Sequence, residues 1–201
     1  MQENAAKHLA LAAMLSSVVL VLGCGPSAEN IAAQDFLQKF DKIVEQKTAL
    51  DDLEKKADEY NEQLEKASDE RNPTKHAMAI GAWIGQYKAL LSQARSIVDT
   101  QSGLVDDLVT DSAKLSGDAN RYYREATDAL REYIATQRKG IELTEQLMAT
   151  IESSASNPAS ADPEKLKELT SSLDDLDSKE KHAFQQAQDA VARLRAVAPH
   201  P

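Results

Sequence analysis

The sequence predicts an all-α protein, an elongated antiparallel four-helix bundle with coiled-coil-like packing. Three observations predict it. Glycine (7), proline (6) and aromatic residues (4%) are sparse in the 201 residues, whereas Ala, Leu, Glu, Asp, Lys, Gln and Ser dominate; sheets draw instead on β-branched and aromatic residues and on glycine at their turns. Apolar residues recur at intervals of seven through four long segments, the spacing that lines one face of a packed helix. The segments are of similar length, about 35 to 42 residues, and are joined by short breaks, as antiparallel neighbours must be if each is to bury the other. A chain of this length holds one domain or at most two small ones.

The first helix is expected at about 31–70. Phe36, Ile43, Leu50, Ala57 and Leu64 recur every seven residues, and Leu53, Tyr60 and Ala67 supply a second row. "DERNPT", 69–74, breaks it at a proline. The second helix, about 73–115, carries three rows: Ile84, Leu91, Val98 and Val105; Ile80, Tyr87, Ala94, Leu108 and Leu115; and Trp83, Leu90, Ile97 and Leu104. Three apolar rows per heptad imply burial in a bundle and exclude a bare two-stranded zipper. In "LSGDAN", 115–120, Gly117 suits a helix C-cap and Asp118 the next N-cap.

The third helix, about 119–153, places Tyr123, Leu130, Leu147 and Ile151 in its core, with Ile134, Ile141 and Met148 alongside. Gln137, Gly140 and Thr144 weaken this seam at its middle. "SSASNPASADP", 153–163, reads as an exposed polar loop, after which Asp162 as N-cap and Pro163 at the first helical position start the fourth helix, about 163–198. Leu166, Leu169, Leu173, Leu176, Ala183, Ala187, Ala190, Leu194 and Val197 hold its register, with Glu180 the charged exception. Four such helices form an up-down-up-down bundle about 50–60 Å long. The competing architecture is a pair of hairpins completed by a partner or by dimerisation, so a homo-oligomer stays open.

Ahead of the bundle, "LALAAMLSSVVLVL", 9–22, runs without a charge after Lys7. As a helix it reaches about 21 Å, short of the ~30 Å hydrocarbon core, and it has the size of a signal-peptide hydrophobic region. It ends in "VLGC", 21–24, at the chain's single cysteine, Cys24. An aliphatic residue three before the cysteine and a small residue just before it resemble the lipobox of bacterial lipoproteins. The resemblance covers about the first two dozen residues. It implies cleavage before Cys24, a diacylglyceryl group on its thiol, acylation, and a mature protein tethered to the membrane. Two or three acyl chains, at about 0.8 kcal/mol per buried CH₂, anchor stably where one would not. Gly25 rather than Asp after the cysteine implies the outer membrane, facing the periplasm. Residues 1–23 are then signal, 24–30 tether, and 31–198 the bundle.

The formal charge is −10, and removing Lys7 and Glu3 with the signal leaves 22 basic against 32 acidic residues. That balance repels phosphates and argues against a nucleic-acid partner. A lone cysteine makes no internal disulfide and no cysteine-based metal site. The four histidines are scattered, and Glu-x-x-His, Cys-x-x-Cys-His, Gly-x-Ser-x-Gly and glycine-rich phosphate loops are all lacking. No enzyme, cofactor or metal is expected.

Three features remain as candidate sites beside Cys24. "GAWIG" sets Gly81 and Gly85 on one helix face near Trp83; the favoured reading is a close helix crossing with Trp83 packed at one end of the bundle, with a ligand notch or a membrane-inserting patch as alternatives. Arg124, Arg131 and Arg138 fall every seven residues. They are expected to pair with carboxylates such as Asp99, Asp106 or Asp177, the alternative being a docking face for an acidic partner or cell-wall polymer. Gln101, Gln137 and Glu180 stand at core positions, where register-setting is favoured over the lining of a small polar pocket. The function these readings favour is a lipid-anchored, non-enzymatic scaffold, accessory or interaction component of a bacterial envelope. A membrane-active or pore-forming helical protein and a ligand-binding sensor bundle are the alternatives.

Overall fold

The computed structural model describes residues 28–68, 73–111, 116–157 and 161–197. They form four α-helices: α1 (Ala28–Ser68), α2 (Pro73–Asp111), α3 (Gly117–Ser156) and α4 (Pro163–Val197). No strand occurs among the described residues. The helices run alternately up and down as an antiparallel four-helix bundle. At one pole the start of α1 meets the start of α3 and the end of α4, through Phe36 on Tyr123 and Asp41 on Arg195. At the other, the end of α1 meets the start of α2 through Asn61 and Trp83, and Lys88 of α2 reaches Glu152 near the end of α3.

The four interfaces are unequal. α3 and α4 are the most intimate pair, α1 on α2 and α2 on α3 are looser, and the backbones of α1 and α4 stay farthest apart. Side-chain size explains the order. Ala126 and Ala129 of α3 and Ala183, Ala187 and Ala190 of α4 are all buried, and methyl side chains let two helix axes approach. Across the α1–α4 seam the contact is made by rings instead, with Phe40 and Phe184 stacked at 6.4 Å between centroids.

The main core fills the half of the bundle nearest the start of α1, around Phe36, Phe40, Tyr123, Tyr133 and Phe184, closed by Leu108, Leu130 and Leu194. Burying one such ring contributes about 1.5–3 kcal/mol. A smaller core at the other end gathers Trp83, Ile84 and Met148, with Tyr60, Tyr87 and Ile151 against it.

The helix ends correct several sequence expectations. α1 opens at Ala28, inside the stretch read as a tether, and closes at Ser68. Gly117 was expected to close the second helix and Asp118 to cap the third; instead Gly117 opens α3, with Ser116 as the residue before it. Gly117 has φ +57°, a left-handed conformation that costs glycine little and other residues about 1–2 kcal/mol. Asp118 falls in the first turn, where a carboxylate suits the helix dipole, and it pairs with Arg121 at 3.3 Å. α3 also continues three residues past Ser153. Ser154 and Ser156 donate to the carbonyls of Thr150 and Glu152 at 2.9 Å each, so these hydroxyls are satisfied inside the helix. At α4 the expected cap forms: Asp162 Oδ1 accepts the Lys165 amide at 3.0 Å.

Candidate functional site

Between the two cores, at mid-height, the four helices line a half-open cavity of about 270 Å³. Its position follows from side-chain size. On α3 the inward residues at this level are Thr136, Gln137, Gly140 and Thr144, and α1 and α2 contribute Ala57 and Ala94. Small residues at core positions leave a void that larger ones would close. A Cβ placed on Gly140 would meet nothing within 4 Å. Leu53, Leu90, Val98, Ile141 and Leu173 make the remaining wall largely apolar.

A polar cluster crosses this apolar lining. Gln137 is 7% exposed; its Nε2 donates to Tyr133 Oη at 2.6 Å and lies 3.4 Å from Glu180 Oε1. Its Oε1 is buried without a hydrogen-bond partner. Gln101, fully buried, donates from Nε2 to the Ile43 carbonyl at 3.3 Å, and its Oε1 likewise finds no partner. A buried acceptor left unmet costs about 1–3 kcal/mol, so a core retains one only where something else compensates.

The electrostatics follow from burial. Desolvation pushes the Glu180 carboxyl up from the ordinary 4.5 to about 6; Glu54 and Asp177 add to the rise, while the Gln137 amide and Lys47 oppose it. Glu54, at the cavity's rim, is also raised, first by burial and then by Asp51. Burial and the charge of Glu180 move the Tyr133 phenol up, away from ionisation. The nearby cations are engaged elsewhere. Lys47 bonds Asp51 at 2.7 Å and lies 5.6 Å from the Phe184 ring centroid, and Lys181 bonds Asp177 at 2.7 Å.

Register-setting was favoured over pocket-lining for Gln101, Gln137 and Glu180. The structure divides them: Gln137 and Glu180 line the cavity, whereas Gln101 ties α2 to the backbone of α1.

The close crossing expected at Gly81 and Gly85 is corrected. Both are exposed, and an added Cβ at either would meet nothing within 4 Å. Trp83, two residues on, turns to the opposite side of α2 and is buried. Its Nε1 and the Tyr87 hydroxyl both donate to Asn61 Oδ1 at 3.2 Å. Asn61 carries no periodic signal, which is why sequence reasoning passed over it.

The arginine row is exposed along α3. Arg138 pairs with Asp99 at 3.1 Å, as expected. Asp177, the candidate carboxylate on α4, pairs with Lys181 instead. Among the described residues Arg124 and Arg131 form no hydrogen bond or ion pair. Cys24 lies outside the described residues. Among those described, no helix is long and apolar enough to cross a membrane, and no group of three or more His, Cys, Asp or Glu side chains is placed to hold a metal ion. In comparison with known proteins, the chain matches no protein family, no characterised protein and no solved structure.

Proposed function

We propose that the protein is a lipid-anchored, non-enzymatic helical bundle of a bacterial envelope, working as a scaffold, accessory or interaction component on the outer membrane. The observation that carries this reading is the uncharged run 9–22 ending in the lipobox-like Val21–Cys24, directly ahead of a water-facing bundle. Two further features support it. Only a few residues separate Cys24 from Ala28, so a lipid on that cysteine would hold the pole containing Phe36 and Leu194 toward the bilayer. Ile31 and Val197, two of the three large apolar side chains exposed among the described residues, belong to that same pole. Arg124 and Arg131, without a hydrogen bond or ion pair among the described residues of an acidic protein, offer a docking row for an acidic protein surface.

Fractionation of the Cys24→Ala variant tests the anchor: the variant is expected to leave the membrane pellet, and its normal processing and retention there would contradict the reading. Cross-linking tests the scaffold. A defined protein partner is expected, its capture weakened by Arg124→Gln with Arg131→Gln, and the purified protein is expected to leave liposomes intact. Dye leakage would favour the membrane-active alternative, which gains little from "AMAIGAWIG" (77–85), whose Trp83 and Ile84 are buried.

A second reading, a ligand-binding bundle, is favoured by one specific observation. The central cavity is lined by Gln137, whose buried Oε1 has no partner, beside the half-buried Glu180.

A further inference from the structure

We infer that the central cavity binds a small cationic amphiphile: an amine with an apolar body, its ammonium group held between the Glu180 carboxylate and Gln137 Oε1. The inference rests on the ligand-binding reading and specifies the ligand's chemistry.

The polar groups facing the cavity are arranged as acceptors. Gln137 spends its amide nitrogen on Tyr133 and Glu180 and presents a buried oxygen with no donor. Glu180 adds carboxylate oxygens, and Glu54 and Asp177 add two more carboxyl groups at the rim. The hydroxyls of Thr136 and Thr144 donate to the Glu132 and Gly140 carbonyls of their own helix, so they supply the ligand with no free proton. An anion entering here would meet three carboxylates. An ammonium group supplies the donor that Gln137 Oε1 lacks and adds to the long 3.4 Å amide contact that Glu180 already has, and it gains charge-assisted bonds in a partly desolvated site.

The rest of the wall selects an apolar body. Leu50, Leu53, Leu90, Leu91, Ile141 and Leu173 surround the remaining volume. At about 270 Å³ the space falls just below the roughly 300–1,000 Å³ of drug-sized ligand pockets, so the ligand is small. The α1–α4 seam has the fewest close backbone approaches of the four, and of the lining residues the exposed Glu54 and Asp177 stand on its two sides, which makes it the way in. Carboxylates on both lips attract a cation before it reaches the interior.

Every element packed against Glu180 bears on its charge. α1 presents Glu54 and Lys47, α4 presents Asp177 and Lys181, α3 presents the neutral Gln137 and Tyr133, and α2 contributes apolar side chains and Tyr87. With the carboxyl pushed up to about 6 by burial, amine binding is expected to weaken as pH falls from 7.5 to 5 and the carboxylate takes up a proton.

The test is calorimetric titration of the full chain in lipid nanodiscs, with empty nanodiscs subtracted. The probes are n-hexylamine, 2-phenylethylamine, the neutral 2-phenylethanol and the anionic 3-phenylpropanoate. The amines are expected to bind at least about tenfold more tightly than the alcohol, and the acid not at all. Glu180→Gln, which keeps the side chain's shape, is expected to bring the amines down to the alcohol's affinity. Gly140→Leu, which fills the cavity, is expected to abolish binding of all probes while helical circular dichroism is retained. Equal binding of amine and alcohol, preference for the acid, or an undiminished preference in Glu180→Gln would overturn the cationic assignment and leave the ligand-binding reading standing. Absence of binding by every probe would overturn both.

Discussion

Tyr123 of α3 donates its hydroxyl to the backbone carbonyl of Leu108 in α2. Leu108 stands near the end of the described part of α2. A side chain of the next helix thus fastens to the backbone of the previous one, and the same ring packs on Phe36 of α1 at 4.4 Å between centroids. One residue joins three helices at the pole where α1 begins.

Tyr123→Phe keeps the ring and removes that hydrogen bond. The loss is expected to be about 0.5–1.5 kcal/mol, the net worth of one buried hydrogen bond, and it is measured by urea unfolding. An unchanged midpoint would mean that the bond adds nothing to the packing of the ring.

Glu180 makes stability depend on pH in the sense opposite to most carboxylates. Its folded pKa, about 6, lies above the ordinary 4.5, so the folded state holds the proton more firmly than the unfolded chain does. Below about 4.5 both states are protonated and Glu180 adds no slope. Between 4.5 and 6 stability falls as pH rises, and above 6 a constant cost of about 2 kcal/mol persists. Glu180→Gln is expected to stabilise the protein at pH 7 by up to about that amount and to have little effect at pH 4.5. Paired urea titrations at the two pH values measure it, and equal effects at both would show that Glu180 ionises normally.

Gly81 and Gly85 weaken an exposed stretch of α2 without serving a contact. Gly81→Ala and Gly85→Ala are each expected to raise stability by about 0.5–1 kcal/mol through helix propensity, read as an increase in Tm. A loss of stability on either change would restore the close crossing that the sequence suggested.

Much of this architecture was legible in the sequence because burial in a bundle imposes a seven-residue rhythm that needs no knowledge of the neighbour. Ile43, Val98, Leu130 and Leu194 lie in the core where that rhythm puts them. The void was only half legible: Gln137, Gly140 and Thr144 mark a soft stretch in the third seam, but periodicity reads Gln137 and Glu180 as setting register, whereas they line the cavity. The aromatic heart was not: Phe40, Tyr133 and Phe184 stand off the principal rows, and their burial depends on which faces of α1, α3 and α4 converge. The close helix approach was sought at two glycines and occurs at alanines of α3 and α4 instead. Both residue types permit approach, and only the packing partner decides which face is used. The pairing of Trp83 with Asn61 joins residues 22 apart on two different helices, which no periodicity reports.

The central claim is that this bundle is tied to a membrane through Cys24, and the most direct measurement is the intact mass of the purified protein with sequencing of its N-terminal peptide. The account predicts a chain beginning at Cys24 and heavier by a diacylglyceryl group and its acyl chain. A chain that retains residues 1–23, or one that begins elsewhere with an unmodified Cys24 thiol, would contradict it.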